Sequence, residues 1–310
     1  MWIGVALGGY FLYALVALLD KYLLSGPLPS PKTYAFYVGM LGGGAAALLA
    51  LFGLVIIPET SILVVGLLAG VMRTLFLFAL FHALRLFEAS RIIPALGAVM
   101  PIFLLLFVFL VGDTTVFLPK NFLAFLLLLV GTVGITFVKD SRVTLRSIMA
   151  ASLAAFLGAA SFFLSKFVYD DPAQTFISGL AWLLAGTFLA ALIFLASREV
   201  RKEISRIFSR RKKPTRVVAK KFPLLLFAGN QATAAGAGLL QNLAVALVPL
   251  GMLSFVSAIG GVQYLFLFVF ALFLSRRFPL VLKEEVSRAI IVQKMVSILL
   301  IGGGLFLLAL

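Results

Sequence analysis

Apolar blocks of about twenty residues recur along the whole 310-residue chain, separated mostly by short polar segments. A helix of about twenty residues reaches across the ~30 Å hydrocarbon core of a bilayer. A β-barrel would instead alternate apolar and polar residues in stretches of about ten, and no such alternation is visible. Only 12% of the residues are charged and 63% are hydrophobic. A soluble domain carries roughly a quarter charged residues, so this chain cannot cover a water-facing surface of its size. The expected class is an all-α, multi-pass integral membrane protein, with the plasma membrane as its expected location.

Ten spans are predicted, at 2–19, 34–56, 62–84, 89–111, 120–138, 147–169, 174–196, 222–245, 250–274 and 289–309. The N-terminal stretch has neither a basic leader nor a small-residue cleavage site, so it reads as a retained helix. The chain has no cysteine, which excludes disulfides and thiolate metal sites.

The formal charge of +15 does not point to nucleic acid, because the basic residues sit between apolar blocks, where lipid-flanking charges belong. The longest basic segment, 198–221, holds eleven basic and two acidic residues. It reads as a solvated cytoplasmic loop that pins topology, or as a segment with a lipid-headgroup or regulatory role. The loops on its side hold 22 of the 26 Lys and Arg; the other side holds two, Lys120 and Lys166. The positive-inside rule then puts this loop in the cytoplasm and, with ten spans, both termini outside.

Sliding the chain against itself shows an internal repeat. A shift of 145 lays Asp20-Lys21-Tyr22 on Ser165-Lys166-Phe167, Phe11 on Phe156 and Ala14 on Ala159. A shift of 161 lays Ala83-Leu84 on Ala244-Val245 and brings Ser90 near Gly251, and a shift of 171 lays Leu129-Val130-Gly131 on Leu300-Ile301-Gly302. Five spans per half is an odd number, so the second half enters the membrane from the opposite side. The expected architecture is ten transmembrane helices as two inverted five-helix repeats, 1–140 and 141–310. Secondary transporters use that arrangement for alternating access.

The stretch FALFHALRLFEASRIIPALGAVMPIFLLLFVFLVGD, with FLAFLLLLVGTVGITF after it, resembles the end of an EamA repeat of the drug/metabolite transporter superfamily. Ala83, Leu84, Ala89, Ser90, Pro101, Gly112 and Asp113 fill the places of that pattern. The second copy departs from it, with Leu250-Gly251 for Ala-Ser and Arg276-Arg277 near the acidic pair. The resemblance implies ten helices around a central cavity lined mainly by helices 1, 3, 4, 6, 8 and 9, and both termini in the cytoplasm, against the charge count. Small proton-coupled exporters resembling this family carry a glutamate in mid-span one. No acid stands there in this chain, which disfavours proton-driven export of cationic drugs.

Polar groups at membrane depth are costly and tend to face a cavity or a partner. Arg73 is about eleven residues from either end of span three, and lipid exposure there would cost about 2.5–3.5 kcal/mol on insertion scales. It reads either as an anchor for an anionic solute group or as a structural partner of carbonyls, polar side chains or an acid elsewhere. Asn230, Gln231, Thr233, Gln241 and Asn242 on span eight, and Ser254, Ser257, Gln263 and Tyr264 on span nine, suit hydrogen bonding to a solute or between packed helices. Tyr10, Tyr13, Ser161 and Ser165 are of the same kind. Lys21 and its repeat counterpart Lys166 frame a candidate gate, or snorkel to the interface. The single histidine, His82, reads as structural.

Pro94 and Pro101 are expected to interrupt span four, and Gly260-Gly261 to interrupt span nine at a corresponding place. Paired interruptions in repeat-related helices point to a transporter's binding region. No metal motif, cofactor motif or catalytic triad is present, so neither a cofactor, a resident metal nor an enzymatic activity is expected. The expected function is secondary transport of a small metabolite. The alternatives are a non-transporting scaffold or binding protein on the same fold, or a lipid-headgroup flippase. Expected partners are a small-molecule solute and membrane lipid, with a homodimer allowed and nucleic acid excluded.

Overall fold

A lipid-embedded chain must satisfy its backbone polar groups internally, and helices do so within a single segment. A computed structural model describes residues 1–23, 31–87, 89–136, 144–210, 221–277 and 288–310. Its helices are α1 (Trp2–Leu23), α2 (Pro31–Leu51), α3 (Thr60–Leu86), α4 (Ala89–Leu110), α5 (Pro119–Thr136), α6 (Leu145–Asp170), α7 (Phe176–Phe194), α8 (Arg198–Arg210), α9 (Lys221–Leu247), α10 (Leu253–Ala258), α11 (Gly261–Arg277) and α12 (Arg288–Ala309). Two single 3-10 turns, Thr115–Phe117 and Leu250–Met252, complete the regular elements among the described residues.

Eight stretches among the described residues are long and apolar enough to cross a membrane, in α2 to α7, across α10 and α11, and in α12. They fit an integral multi-pass membrane protein. Helix α1 is apolar over Trp2–Ala17, the stretch whose side chains are described. Helix α9 is not one of the eight, and Asn230, Gln231, Gln241 and Asn242 dilute its apolar content.

Several boundaries differ from the sequence expectation. Span two stops at Leu51, not at 56, because Gly53 takes a left-handed φ of 70° and lets the Leu54 N–H reach back to the Leu49 carbonyl at 3.1 Å. This is a glycine-terminated helix end; Gly112 (φ 88°) ends α4 the same way, with Asp113 N–H bonded to Val108 O. The non-helical stretch after Gly53 is held by α7: the Ser178 hydroxyl donates to Ile56 O at 3.0 Å, and Trp182 Nε1 donates to the same oxygen at 2.9 Å. The basic segment 198–221 is not a simple loop, since 198–210 form α8; residues 211–220 lie outside the described residues. Nor do Pro94 and Pro101 interrupt span four, for α4 runs through both. A proline ring clashes with the carbonyl four residues earlier; for Pro101 that residue is Gly97, which adds no side chain to the crowding.

The main packing pairs are α3 with α6, α2 with α7, α1 with α9, and α5 with α12, and α7 also lies on α3. Each joins a helix from 1–140 to one from 141–310. Small residues set the crossings, as they do where membrane helices approach closely. A methyl on Gly39 of α2 would sit 2.5 Å from the Ala191 Cβ of α7, and one on Gly9 of α1 would sit 3.4 Å from the Gln241 backbone nitrogen of α9. At the α3–α7 crossing, methyls on Gly70 and Gly186 would overlap the Leu183 and Leu67 carbonyl oxygens respectively. Buried apolar clusters lie between α5, α10, α11 and α12 and between α1, α4, α6, α9 and α10.

Candidate functional site

Span nine is discontinuous where Gly260-Gly261 stands. Helix α10 ends at Ala258 and α11 begins at Gly261. The Val262 N–H bonds back to Ile259 O at 2.9 Å, a three-residue turn, in place of the α-helical bond to Ala258. The Ala258 carbonyl is taken instead by α5, where the buried Thr132 hydroxyl donates to it at 3.0 Å. Glycine is required at 261 because a methyl there would overlap Thr132 Oγ1. Replacing Thr132 by valine strands the Ala258 carbonyl, and a lost buried hydrogen bond of this kind costs about 1 kcal/mol. The expected result is a lower thermal midpoint in detergent; an unchanged midpoint would mean that the break holds without this bond.

Tyr10 of α1 reaches the same break. Its hydroxyl donates to Val256 O of α10 at 2.8 Å and accepts from Gln241 Nε2 of α9 at 3.1 Å. A methyl on Gly260 would lie 3.3 Å from that hydroxyl oxygen. One tyrosine thus ties α1, α9 and the broken helix together. Ser257 is buried just ahead of the break, and its carbonyl accepts the Gly260 N–H at 2.9 Å. Gln263 and Tyr264 follow on α11, both half-buried; Tyr264 packs on the cluster that contains Ile259 and Val262.

Arg73 occupies the midpoint of α3 and is half-buried. Its guanidinium extends toward α9, where a methyl on Gly238 would sit 3.2 Å from Arg73 Nη2 and 3.6 Å from the Tyr13 hydroxyl oxygen. Among the described residues α3 does not pack closely on α1 or α9, so the side chain bridges a gap between the α3–α6 and α1–α9 pairs. Tyr13 of α1 and Tyr169 of α6 both lie within its electrostatic reach. The Tyr169 hydroxyl donates to Asn242 Oδ1 at 3.0 Å, and Asn242 Nδ2 donates to Gly238 O at 2.7 Å. Among the described residues no carboxylate pairs with Arg73.

The expected site residues therefore divide. Tyr10, Gln241, Ser257 and Gly260-Gly261 gather at the break, whereas Arg73, Tyr13, Tyr169 and Asn242 gather about Gly238 of α9. Ser161 spends its hydroxyl on Ala69 O of α3 at 2.9 Å, a packing bond one turn from Arg73. Asn230 is buried and Gln231 half-buried, two turns up α9 from Gly238. Lys166 is buried, held by Asp170 on its own helix and by Ala246 O of α9 at 3.1 Å. Those bonds make it a clasp between α6 and α9. Lys21 lies on α1, and its side chain falls outside the described residues, as does that of Ser90.

No protein-family model matches this sequence, and no curated protein matches it. One solved structure, described only as "Crystal structure of protein", superposes with a TM-score of 0.63 over 99% of this chain and 96% of that one, at 18% identity. The likeness is one of fold over the full length of both chains.

Proposed function

We propose that this protein is a secondary carrier of the EamA-like kind, in which two inverted five-helix halves move a small solute by alternating access. Arg73 carries the reading: a cation at mid-membrane depth, half-buried, set among Tyr13, Tyr169 and Gly238 from three other helices, with no carboxylate partner among the described residues. Such a group at membrane depth is expensive unless it serves a cavity or a ligand. Neutral, zwitterionic or anionic solutes suit it better than cations.

The helix pairing supports the inverted halves. Exchange α1 with α6, α2 with α7, α3 with α9, α4 with α10–α11, and α5 with α12. The α1–α9 pair then becomes α6–α3, the α4–α6 pair becomes α1–α11, and α2–α7, α5–α12 and α4–α10 map onto themselves; all of these contacts are present, while α3–α7 is an exception with no comparable α2–α9 counterpart among the described residues. The broken span nine supports a binding region at the break itself, since discontinuous helices line the sites of many such carriers; its counterpart α4 is continuous. On this reading the basic segment is cytoplasmic, and Lys166 fastens α6 to α9 on the opposite side.

The test is flux in proteoliposomes, with a panel of labelled amino acids, carboxylates and sugars under imposed solute, proton and sodium gradients. Saturable uptake, competed by unlabelled solute and absent from protein-free vesicles, is the expected result. Folded, correctly inserted protein with no flux in any arm would leave the scaffold reading in its place.

A further inference from the structure

Three residues separate the end of α7 from the start of α8, so α8 starts about one turn beyond an apolar, membrane-length helix. Its sequence, REVRKEISRIFSR, has five basic and two acidic residues, and the next eleven residues add six basic and no acidic ones. The helix is two-sided. Val200 is fully buried against Phe36 of α2 and Ala191 of α7, and Ile204, one turn on, packs on the same cluster. Arg198, Arg201, Lys202 and Ser205, at helical spacing on the other side, are exposed. Glu199 is already engaged by Lys32 of α2 at 3.5 Å. Arg201 also donates to Ala196 O at 3.3 Å, fastening α8 to the end of α7.

We infer that α8 is a docking surface for the headgroups of anionic phospholipids. One feature favours lipid over a soluble polyanion: the helix is fixed at the end of a membrane-length helix by its apolar side, so its basic side is held near the headgroup layer and is not free to swing into solvent. The charge comes from the exposed Arg198, Arg201 and Lys202, with Glu199 drawn off by Lys32. A basic residue near an anionic leaflet contributes about 1 kcal/mol, over a range set by the Debye length. Clusters of this kind next to a transmembrane helix are the usual form of anionic-lipid recognition.

The experiment is lipid titration of the full-length, delipidated protein in mild detergent, read by native mass spectrometry, with phosphatidylglycerol and phosphatidylcholine of identical acyl chains. Phosphatidylglycerol is expected to be retained in preference, and the preference to shrink as salt rises. The double variant Arg198→Gln, Lys202→Gln is expected to lose roughly tenfold of that preference, somewhat less than two unscreened contributions would give. Arg198→Lys, which keeps the charge, is expected to retain it. Equal retention of the two lipids, or a double variant indistinguishable from wild type, overturns the inference. So does tight heparin binding without any lipid preference, which would make the surface a polyanion site. Matching thermal midpoints between wild type and the double variant establish that neither result comes from misfolding.

Discussion

Replacing Arg73 by leucine is expected to remove solute flux while leaving the protein at least as stable as wild type. The two halves of that expectation come from one observation. A guanidinium midway along α3, half-buried and without a carboxylate partner among the described residues, carries an uncompensated desolvation cost. Insertion scales put that cost at up to about 2.5–3.5 kcal/mol for a fully lipid-exposed arginine, so an apolar replacement relieves part of it. A charge-assisted hydrogen bond to a bound anion is worth about 1.5–3 kcal/mol. Losing one or two such bonds lowers binding, and flux at limiting solute, on the order of a hundredfold. Arg73→Lys keeps the charge without the two-pronged geometry and should fall between. Thermal unfolding in detergent and proteoliposome uptake, measured on the same preparations, decide the matter. Intact uptake with a lowered midpoint would make Arg73 a packing residue and remove the main support for the carrier reading.

What was legible in the sequence were departures from a local rule. An arginine inside an apolar block is an anomaly in its own segment; Gly260-Gly261 is a weaker signal, since Gly8-Gly9, Gly42-Gly43-Gly44 and Gly302-Gly303-Gly304 lie in unbroken helices. The same logic misled at Pro94 and Pro101. Proline breaks helices as a rule, yet α4 passes through both. The stop at Gly53 was hidden because Val55, Ile56 and Ile57 prolong the apolar run past the end of the helix. Helix α8 was hidden by its charge: Val200 and Ile204 stand one turn apart, but their role shows only once Phe36 and Ala191 are seen to cover Val200. Tyr169 is hidden in the sequence for a different reason. Nothing in its own neighbourhood is unusual, and its partner Asn242 is 73 residues away on another helix. Local patterning exposes the residue that violates its surroundings, whereas a polar pair made across helices becomes visible only in the fold.

Gly186→Ala is expected to be among the most damaging single-methyl changes the protein can receive. At the α3–α7 crossing the two backbones touch, since methyls on Gly186 and Gly70 would overlap the Leu67 and Leu183 carbonyl oxygens of the facing helices. A methyl that meets a flexible side chain can be accommodated by a rotamer change, but a helical carbonyl is fixed by its own backbone. The helices must therefore separate. Overpacking usually costs about 1–3 kcal/mol, and contact with main chain puts this site at or above the top of that range. Separation has a second consequence, because Gly70 lies one turn before Arg73. The Thr74 hydroxyl, which donates to Gly70 O at 3.2 Å and also lies 3.4 Å from Thr187 O, moves with it. Displacing α3 from α7 shifts Arg73 relative to Tyr13 and Gly238, so any bound solute should weaken along with the fold. Gly302→Ala is the matched control. It lies within α12 with nothing inside 4 Å of the added methyl, and alanine is favoured over glycine in a helix by roughly 0.5–1 kcal/mol. Its thermal midpoint should hold or rise while that of Gly186→Ala falls by several degrees. If the two variants melt together, the α3–α7 contact is looser than described and the position of Arg73 must be set from another side of the helix, with the Ser161 bond to Ala69 O as the next contact to test.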